Sequence, residues 1–285
     1  MGRTLPAHED QDLRQSKVVW HLFARAVWAT RIIDRGYSVF DRLRSKIVLA
    51  CASDAFYDIF NDLMYARQDI WRLGTGAFRS SLFPFEERAI SRHFPPPPGT
   101  ILIGAAGGGR ESHALAQRGY RIVAFEPARP LAASLAEASS EMSIESLVGR
   151  YEDLPIVTSL SQPPATIDLR SRAPFAAAIL GWGSISHIRS DQYCIATLRQ
   201  FGHLTRGPIL ISYLPGSGGP KHRFRVNMGY YRQFTGAEIL ALAEGAGLAV
   251  VYLDEEDSGM PHAVLNASTM SAKEDAGAQT VSDRS

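Results

Sequence analysis

The feature that most constrains this chain is the glycine-rich turn within residues 100–112, whose sequence is TILIGAAGGGRES. Residues 101–103 form a short apolar run rich in β-branched side chains, which is typical of a strand buried on both faces of a parallel sheet. Glycines at 107–109 follow, and a helical pattern over 111–117 comes directly after them. Because this strand–turn–helix order lets backbone N–H groups approach a ligand closely, we expect a ligand-binding turn here.

A second apolar run, 121–125, comes one helix further along the chain and ends in Glu126. In an open α/β sheet, a carboxylate at the tip of the second strand lies where a bound nucleotide or nucleoside presents its ribose hydroxyls. We therefore expect Glu126 to bind a sugar.

Two phosphate-binding motifs fit this turn poorly. The dinucleotide fingerprint G-x-G-x-x-G, started at Gly107 and Gly109, would put its third glycine at Ser112. The P-loop needs a lysine, and none is near the turn. Neither phosphate motif therefore accounts for the glycines.

Residues 101–127, ILIGAAGGGRESHALAQRGYRIVAFEP, instead resemble motif I of the class I S-adenosylmethionine-dependent methyltransferases. The resemblance implies an α/β fold, with a Rossmann-like, seven-stranded, mostly parallel sheet whose last strand is antiparallel, and helices on both faces. It also implies S-adenosyl-L-methionine as the cofactor. Two positions depart from the family: Ile103 replaces the acid near the end of strand one, and Ala105 stands where the first loop glycine is usual. Backbone or another segment must therefore contact the cofactor's amino group.

Two later segments extend the resemblance. The sequence GRYEDLP at 149–155 resembles the acidic turn that family members use near the adenine, although a solvated acidic loop would read the same way. The sequence GWGSISHI at 181–188 resembles the segment after strand four. The cofactor-binding residues implied by the resemblance are Gly104, Ala105, Ala106, Gly107, Gly109, Glu126, Pro127, Glu152, Asp153, Leu154, Gly181 and Trp182.

Arginines and a basic cluster offer further binding groups. Arg72 and Arg79 flank a glycine break at 74–76, and either could hold the methionine carboxylate of the cofactor. The basic set Lys221, His222, Arg223 and Arg225 could attract an acceptor that carries a carboxylate or phosphate. A solvated face is the simpler interpretation of that charge run.

Methyl transfer from a sulfonium is an in-line displacement, so the protein mainly aligns the reactants and excludes water. A base for an alcohol or ammonium acceptor adds roughly 10²–10⁴-fold. The candidate catalytic residues are His187 after strand four, Glu86 just ahead of the sheet, and Tyr231 beside Tyr230. Each also has a structural interpretation: loop hydrogen bonding, charge at a helix start, and ordinary packing, respectively.

The chain is expected to form three regions: an N-terminal arm and helical cap or lid over 1–94, a methyltransferase domain over 95–267, and a disordered tail over 268–285. Four prolines at 95–98 mark the first boundary, since no helix can cross them. Ser53 is predicted to cap a helix, and Thr235 with Glu238 forms a capping box. The segments 159–172 and 215–220 are predicted to be connections, and 248–253 with 263–265 a closing antiparallel hairpin.

Composition narrows the class of protein. The 285 residues carry 30 Lys and Arg against 29 Asp and Glu, so no surplus of charge predicts a nucleic-acid or membrane partner. Cys51 and Cys194 are far apart, which argues against a disulfide framework or a structural metal site and favours a reducing cytoplasm. The apolar run 18–33 is too short and too charged to span a membrane. The N-terminal helices could instead join two copies in a homodimer.

The sequence therefore predicts a cytoplasmic S-adenosylmethionine-dependent methyltransferase that modifies an O or N atom of a small molecule or peptide-like metabolite. An NAD(P)-dependent Rossmann oxidoreductase is the second hypothesis, disfavoured by the missing third glycine. The third is a non-catalytic protein that binds the cofactor and interacts with partners through its cap.

Overall fold

The structure, a computed structural model, describes residues 36, 39–67, 81–216, 221–225, 229–255 and 260–267. The predictions for Arg72, Arg79, the glycine break, the run 18–33, most of 215–220 and the C-terminal tail lie outside these residues. The chain divides into two compact units, 1–52 and 53–285. In the first unit the described residues include helix α1 over 39–51. The sheet and the other described helices belong to the second unit.

The strands give the second unit its frame. They are β1 (Thr100–Gly104), β2 (Arg121–Glu126), β3 (Ile144–Val148), β4 (Ile156–Thr158), β5 (Thr166–Asp168), β6 (Ala177–Leu180), β7 (Ile209–Ser212), β8 (His222–Arg225), β9 (Gly229–Arg232), β10 (Leu248–Asp254) and β11 (His262–Ala267). Among the described residues, nine of them form one sheet in the order β10-β11-β7-β6-β1-β2-β3-β4-β5, and β8 pairs with β9 in a separate hairpin.

The pairing directions are those of a Rossmann-like sheet. β1 pairs in parallel with β2 and β6, β2 with β3, and β6 with β7. β11 runs antiparallel to both β7 and β10. The predicted mostly parallel sheet and its antiparallel closing strand are therefore confirmed.

The sheet has nine strands where seven were predicted. The two additional strands are β4 and β5, which join antiparallel to each other beyond β3 and extend that edge of the sheet. Part of this addition falls in the segment 159–172 that the sequence predicted to be a connection. Each of these strands is three residues long, so neither is long enough to give the alternating pattern by which a strand is recognised.

Helices cover the sheet on both faces. The described helices of this unit are α2 (Asp54–Arg67), α3 (Pro84–His93), α4 (Arg110–Ala116), α5 (Arg129–Ala138), α6 (Asp191–Leu204) and α7 (Gly236–Gly245). Ser53 Oγ accepts from the backbone N–H of Phe56 at 3.3 Å, as predicted for a capping residue. Thr235 and Glu238 exchange side-chain to backbone hydrogen bonds at the start of α7, which confirms the predicted capping box. No described helix has the length and apolar character that a bilayer-spanning segment requires.

Alternate residues of β1 enter two different cores, as expected of a central parallel strand. Leu102 packs on the side of α6 and α7, with Leu198 and Ile239. Ile103 packs on the other side, where Leu115 of α4 contributes to the core. All of these side chains are buried. This burial fixes the register of β1 and so fixes where its carboxyl end lies.

The carboxyl end of β1 lies at a topological switch point. After β1 the chain passes through α4 to β2, which pairs with one edge of β1. The other edge of β1 pairs with β6. A crevice opens between the loops that leave such neighbouring strands in opposite directions, and ligands of open α/β sheets bind there.

Candidate cofactor and acceptor site

A cavity occupies this crevice. Four segments after strand ends line it: 105–108 after β1, 125–128 at the end of β2, 149–152 after β3, and 182–184 after β6. Arg110, Glu111, Tyr65, His187 and Met260 are also among its lining residues. The cavity is thus bounded by strand ends on one side and by side chains from α2 and the later loops on the other.

The turn after β1 has the backbone conformation that the glycine pattern predicts. Gly107 has φ +55°, and a Cβ placed on it would meet no atom within 4 Å, so its backbone faces open space. Ala105 has φ +51°, a left-handed conformation that residues with a side chain rarely adopt. Ala105 therefore has a backbone conformation that favours glycine, at the position where the resemblance expects a loop glycine.

Gly181 explains how closely the turn after β6 approaches this loop. A Cβ on Gly181 would lie 2.3 Å from the carbonyl oxygen of Ala105, which is far inside contact distance. The backbone N–H of Gly181 also donates to the carbonyl oxygen of Gly104 at 2.8 Å. Gly181 thus positions the loop, although it is not among the described lining residues.

Glu126 ends β2 with its carboxylate in the cavity wall. The backbone N–H of Gly107 donates to its Oε2 at 2.9 Å, and the N–H of Ala128 donates to its Oε1 at 3.0 Å. The side chain is buried. Two amide donors hold this carboxylate in one orientation beside the glycine loop, which is the arrangement that hydroxyl donors of a ligand require.

The turn after β3 supplies the opposite wall. Glu152 lines the cavity, as does Tyr151, whose hydroxyl is 2.6 Å from Ser184 Oγ after β6. Asp153 is exposed and Leu154 is buried in the main core, so neither is among the described lining residues. Only the first part of the predicted acidic turn therefore borders the cavity.

His187, which the sequence predicts to lie between cofactor and acceptor, lines the cavity. Its Nδ1 is 2.7 Å from the carbonyl oxygen of Tyr230, and its Nε2 is 2.7 Å from the hydroxyl of Tyr65 on α2. Because a carbonyl oxygen only accepts, Nδ1 carries the proton and the Tyr65 hydroxyl donates to Nε2. Burial lowers the pKa of His187, so the imidazole is neutral at neutral pH with its basic nitrogen facing Tyr65.

A buried cluster of three charges borders the cavity at the start of α4. Arg110 donates to both oxygens of Glu86, at 2.5 and 2.6 Å, and to Oε1 of Glu111 at 2.6 Å. Burial raises the pKa of Glu86 to about 7, and the neighbouring charge of Glu111 adds to this, although hydrogen bonding to Arg110 acts in the opposite direction. Arg110 and Glu111 line the cavity, whereas Glu86 is not among its described lining residues.

Other predicted residues lie away from the described wall of the cavity. Tyr231 is buried in β9. A Cβ on Gly104 would clash with the Tyr151 and Phe125 rings, and one on Gly109 with the Leu135 side chain, so both glycines are closely packed. Lys221 pairs with Glu238, and His222 Nδ1 is 2.7 Å from the Tyr230 hydroxyl. The predicted attraction of an anionic acceptor by this basic set stays a prediction.

Solved structures with a similar fold are known. The methyltransferase CcbJ from Streptomyces caelestis is 14% identical in sequence, and the alignment covers 72% of this chain and 98% of that chain with a TM-score of 0.54. The 1,6-didemethyltoxoflavin-N1-methyltransferase of Burkholderia thailandensis, solved with S-adenosylhomocysteine, is 20% identical, with 75% and 89% covered and a TM-score of 0.53. This chain has the class I methyltransferase fold. No protein-family model and no curated protein matches the sequence.

A third solved structure, a SAM-dependent methyltransferase from Methanosarcina mazei, is 10% identical, with 66% of this chain and 99% of that chain covered and a TM-score of 0.52.

Two kinds of site residue were not predicted from the sequence. Tyr65 gave no local signal, because its partner is 122 positions away. Arg110 and Glu111 adjoin the glycine turn, and both are buried. Charged side chains are mostly exposed in folded proteins, so the local sequence gives no signal of this burial.

Proposed function

We propose that this chain is an S-adenosylmethionine-dependent methyltransferase that acts on an O or N atom of a small molecule or peptide-like metabolite. The observation that carries the proposal is the pairing of Glu126 with the Gly107 backbone N–H at the edge of an open crevice. A fixed carboxylate beside an open glycine backbone suits a ribose, whose two hydroxyls are donors that a carboxylate can accept together.

The rest of the wall fits a nucleoside thioether. Tyr151 and Glu152 border the end of the crevice where the resemblance puts the adenine, and Pro127 follows the carboxylate directly. When bound, S-adenosylmethionine supplies a methyl group already activated on a sulfonium. The work left to the protein is to align the acceptor with that methyl group and to exclude water, which can lower the barrier by roughly 7–11 kcal/mol.

His187 is the group that we assign to the acceptor's proton. Its Nδ1–H is held by the Tyr230 carbonyl, which leaves the Nε2 lone pair for a proton from an acceptor O–H or N–H that displaces the Tyr65 hydroxyl. As the acceptor atom gains the methyl group, its proton passes to Nε2. The protonated imidazole would then carry the positive charge that a bound sulfonium donor brings, so the net charge of the site would not change.

The acceptor end of the cavity favours a compact and largely apolar substrate. Leu214, Met260 and Trp182 line it, and Trp182 keeps 38% of its surface exposed. A protic atom carried on an apolar or aromatic frame would pack against these side chains while reaching His187. The methyltransferase of similar fold from Burkholderia thailandensis was solved with 1,6-didemethyltoxoflavin bound.

A calorimetric titration tests the proposal. We expect S-adenosylhomocysteine, the product nucleoside, to bind the purified protein and NADH not to bind. Glu126→Gln should weaken that binding by roughly 10-fold or more, since a hydrogen bond to a charged group contributes about 1.5–3 kcal/mol. Glu137→Gln, on the exposed face of α5, is the matched control and should bind as the wild type does.

Binding of NADH without S-adenosylhomocysteine would instead support the oxidoreductase hypothesis. A screen of acceptors by mass spectrometry, scored by a gain of one methyl group, distinguishes an enzyme from a non-catalytic binding protein. Tight nucleoside binding without methylation of any acceptor across alcohols, amines and peptides would count against catalysis.

A further inference from the structure

The usual acidic residue of motif I is absent from this chain, and its replacement cannot reach the cavity. Ile103 is completely buried in the core between the sheet and α4. Its side chain packs with apolar neighbours on that face, so it contributes nothing polar to the crevice. The part of the ligand that this acid would contact needs another partner.

The charge cluster at the start of α4 is the one described set of ionic side chains that is both buried and open to the cavity at this end. Arg110, Glu86 and Glu111 have 2%, 2% and 4% of their surfaces exposed. The Phe83 ring covers the Arg110 guanidinium at 3.9 Å, and the Phe83 N–H donates to Glu86 Oε2 at 2.7 Å. The cluster is therefore closed to solvent on its α3 side.

The cluster holds two carboxylates for one guanidinium. If both carboxylates are ionised, one negative charge is left without a partner in a site remote from water, and such a charge is costly. The charged groups that act on Glu86 are Arg110 and Glu111. The cost is reduced either by protonation of one carboxylate or by the arrival of a cation from the cavity side, where Glu111 is accessible.

We propose that Glu111, held by Arg110 and backed by Glu86, binds a primary ammonium group of the ligand, namely the α-ammonium of the methionyl part of the donor. It thereby takes the role of the acid that Ile103 replaces. This inference rests on the proposed function. Glu126 and Glu111 flank the glycine turn, so one carboxylate is available to the neutral sugar and the other to the cationic end of an extended ligand.

Binding of an ammonium group beside Glu111 should release a proton from Glu86. A cation beside Glu111 favours the ionised form of Glu86, so its raised pKa falls when the ligand binds. Near pH 7 the protein then releases part of a proton on binding. By the same linkage, affinity for an ammonium-bearing ligand should rise several-fold from pH 6 to pH 7.5 and level off above it, whereas affinity for a ligand without the ammonium should not.

The experiment compares S-adenosylhomocysteine with 5′-methylthioadenosine, which keeps the nucleoside and the sulfur but lacks the amino-acid portion. In Glu111→Gln we expect the affinity for S-adenosylhomocysteine to fall roughly 10-fold or more, and that for methylthioadenosine to stay within about two-fold. Decarboxylated S-adenosylmethionine, which keeps the amine, should lose affinity as S-adenosylhomocysteine does. Glu137→Gln is again the control.

Because Glu111→Gln could also disturb folding, proton release is measured on the wild type by titration in two buffers of different ionisation enthalpy. Release with S-adenosylhomocysteine and none with methylthioadenosine is the expected result. Equal proton counts for the two ligands, or equal weakening of both in Glu111→Gln, would overturn the assignment while leaving the proposed function intact. Failure of both ligands to bind the wild type would overturn the proposed function itself.

Discussion

The two ends of the cavity are built in different ways. The half that we assign to the donor, here called the donor half, consists of 105–108, Arg110, Glu111 and Glu126 and comes from one continuous stretch that leaves β1 and ends β2. The acceptor half, made of Tyr65, His187, Leu214 and Met260, is gathered from segments far apart in the chain. A local pattern can specify the first half, whereas only the complete fold can assemble the second.

The difference also appears in the polar contacts. In the donor half, Glu126 is held by backbone N–H groups only 2 and 19 positions away. In the acceptor half, Tyr65 and His187 meet across 122 positions, and His187 reaches Tyr230 across 43. We therefore expect substitutions in the two halves to separate nucleoside binding from methyl transfer.

The largest expected effect is in the acceptor half. His187→Asn keeps a donor for the Tyr230 carbonyl but removes the basic Nε2, so the methyl transfer rate should fall roughly 10²–10⁴-fold. Affinity for S-adenosylhomocysteine should stay within about two-fold. Single-turnover rates and calorimetry measure the two quantities, with His203→Asn on the exposed face of α6 as the control.

The pH dependence sharpens this prediction. A base must be unprotonated, and the pKa of His187 is below its ordinary value of 6.5. With the donor at saturating concentration, the wild-type rate should therefore hold as pH falls from 8 through 6.5 and decline only below that. A decline centred above 6.5, or full activity in His187→Asn, would remove His187 from the role of base.

Substitution of two glycines tests whether the position of the glycine loop controls nucleoside binding in the donor half. Gly181→Ala would put a Cβ 2.3 Å from the Ala105 carbonyl oxygen, and Gly207→Ala would put one 2.0 Å from that of Ala176. Both should lower the free energy of unfolding by about 1–3 kcal/mol through overpacking. Only Gly181→Ala moves the glycine loop, so it alone should also weaken S-adenosylhomocysteine binding, by roughly 10-fold.

Urea unfolding and titration of the folded protein measure the two effects. Equal loss of binding in both variants would mean that general destabilisation, rather than the loop, controls the donor half. Unchanged binding in Gly181→Ala would show that the loop tolerates displacement.

The same contrast explains how far the sequence could predict the structure. The glycine turn, the acid-ended second strand and the capping box of Thr235 and Glu238 are local patterns, and the structure has each of them. The strands β4 and β5 were missed because three residues give no period. The buried Arg110 pairs with Glu86, which lies 24 positions earlier on a different helix. No local sequence pattern therefore predicts the burial of Arg110.

The smallest expected effect concerns the Tyr65 hydroxyl. Tyr65→Phe leaves His187 Nε2 without its donor, which should lower the free energy of unfolding by about 0.5–1.5 kcal/mol. Nucleoside affinity should stay within about two-fold, because the ring remains in place. Tyr193→Phe, whose parent side chain is 47% exposed, should change neither quantity. A large loss of nucleoside affinity in Tyr65→Phe would instead assign Tyr65 to the donor half.

In the proposed function, the crevice at the ends of β1 and β2 holds the donor nucleoside by its sugar. A crystal structure of the protein with S-adenosylhomocysteine tests this most directly. We predict both ribose hydroxyls within hydrogen-bonding distance of the Glu126 carboxylate, with the sulfur directed toward His187. A nucleoside bound elsewhere, or one whose ribose makes no contact with Glu126, would contradict the account.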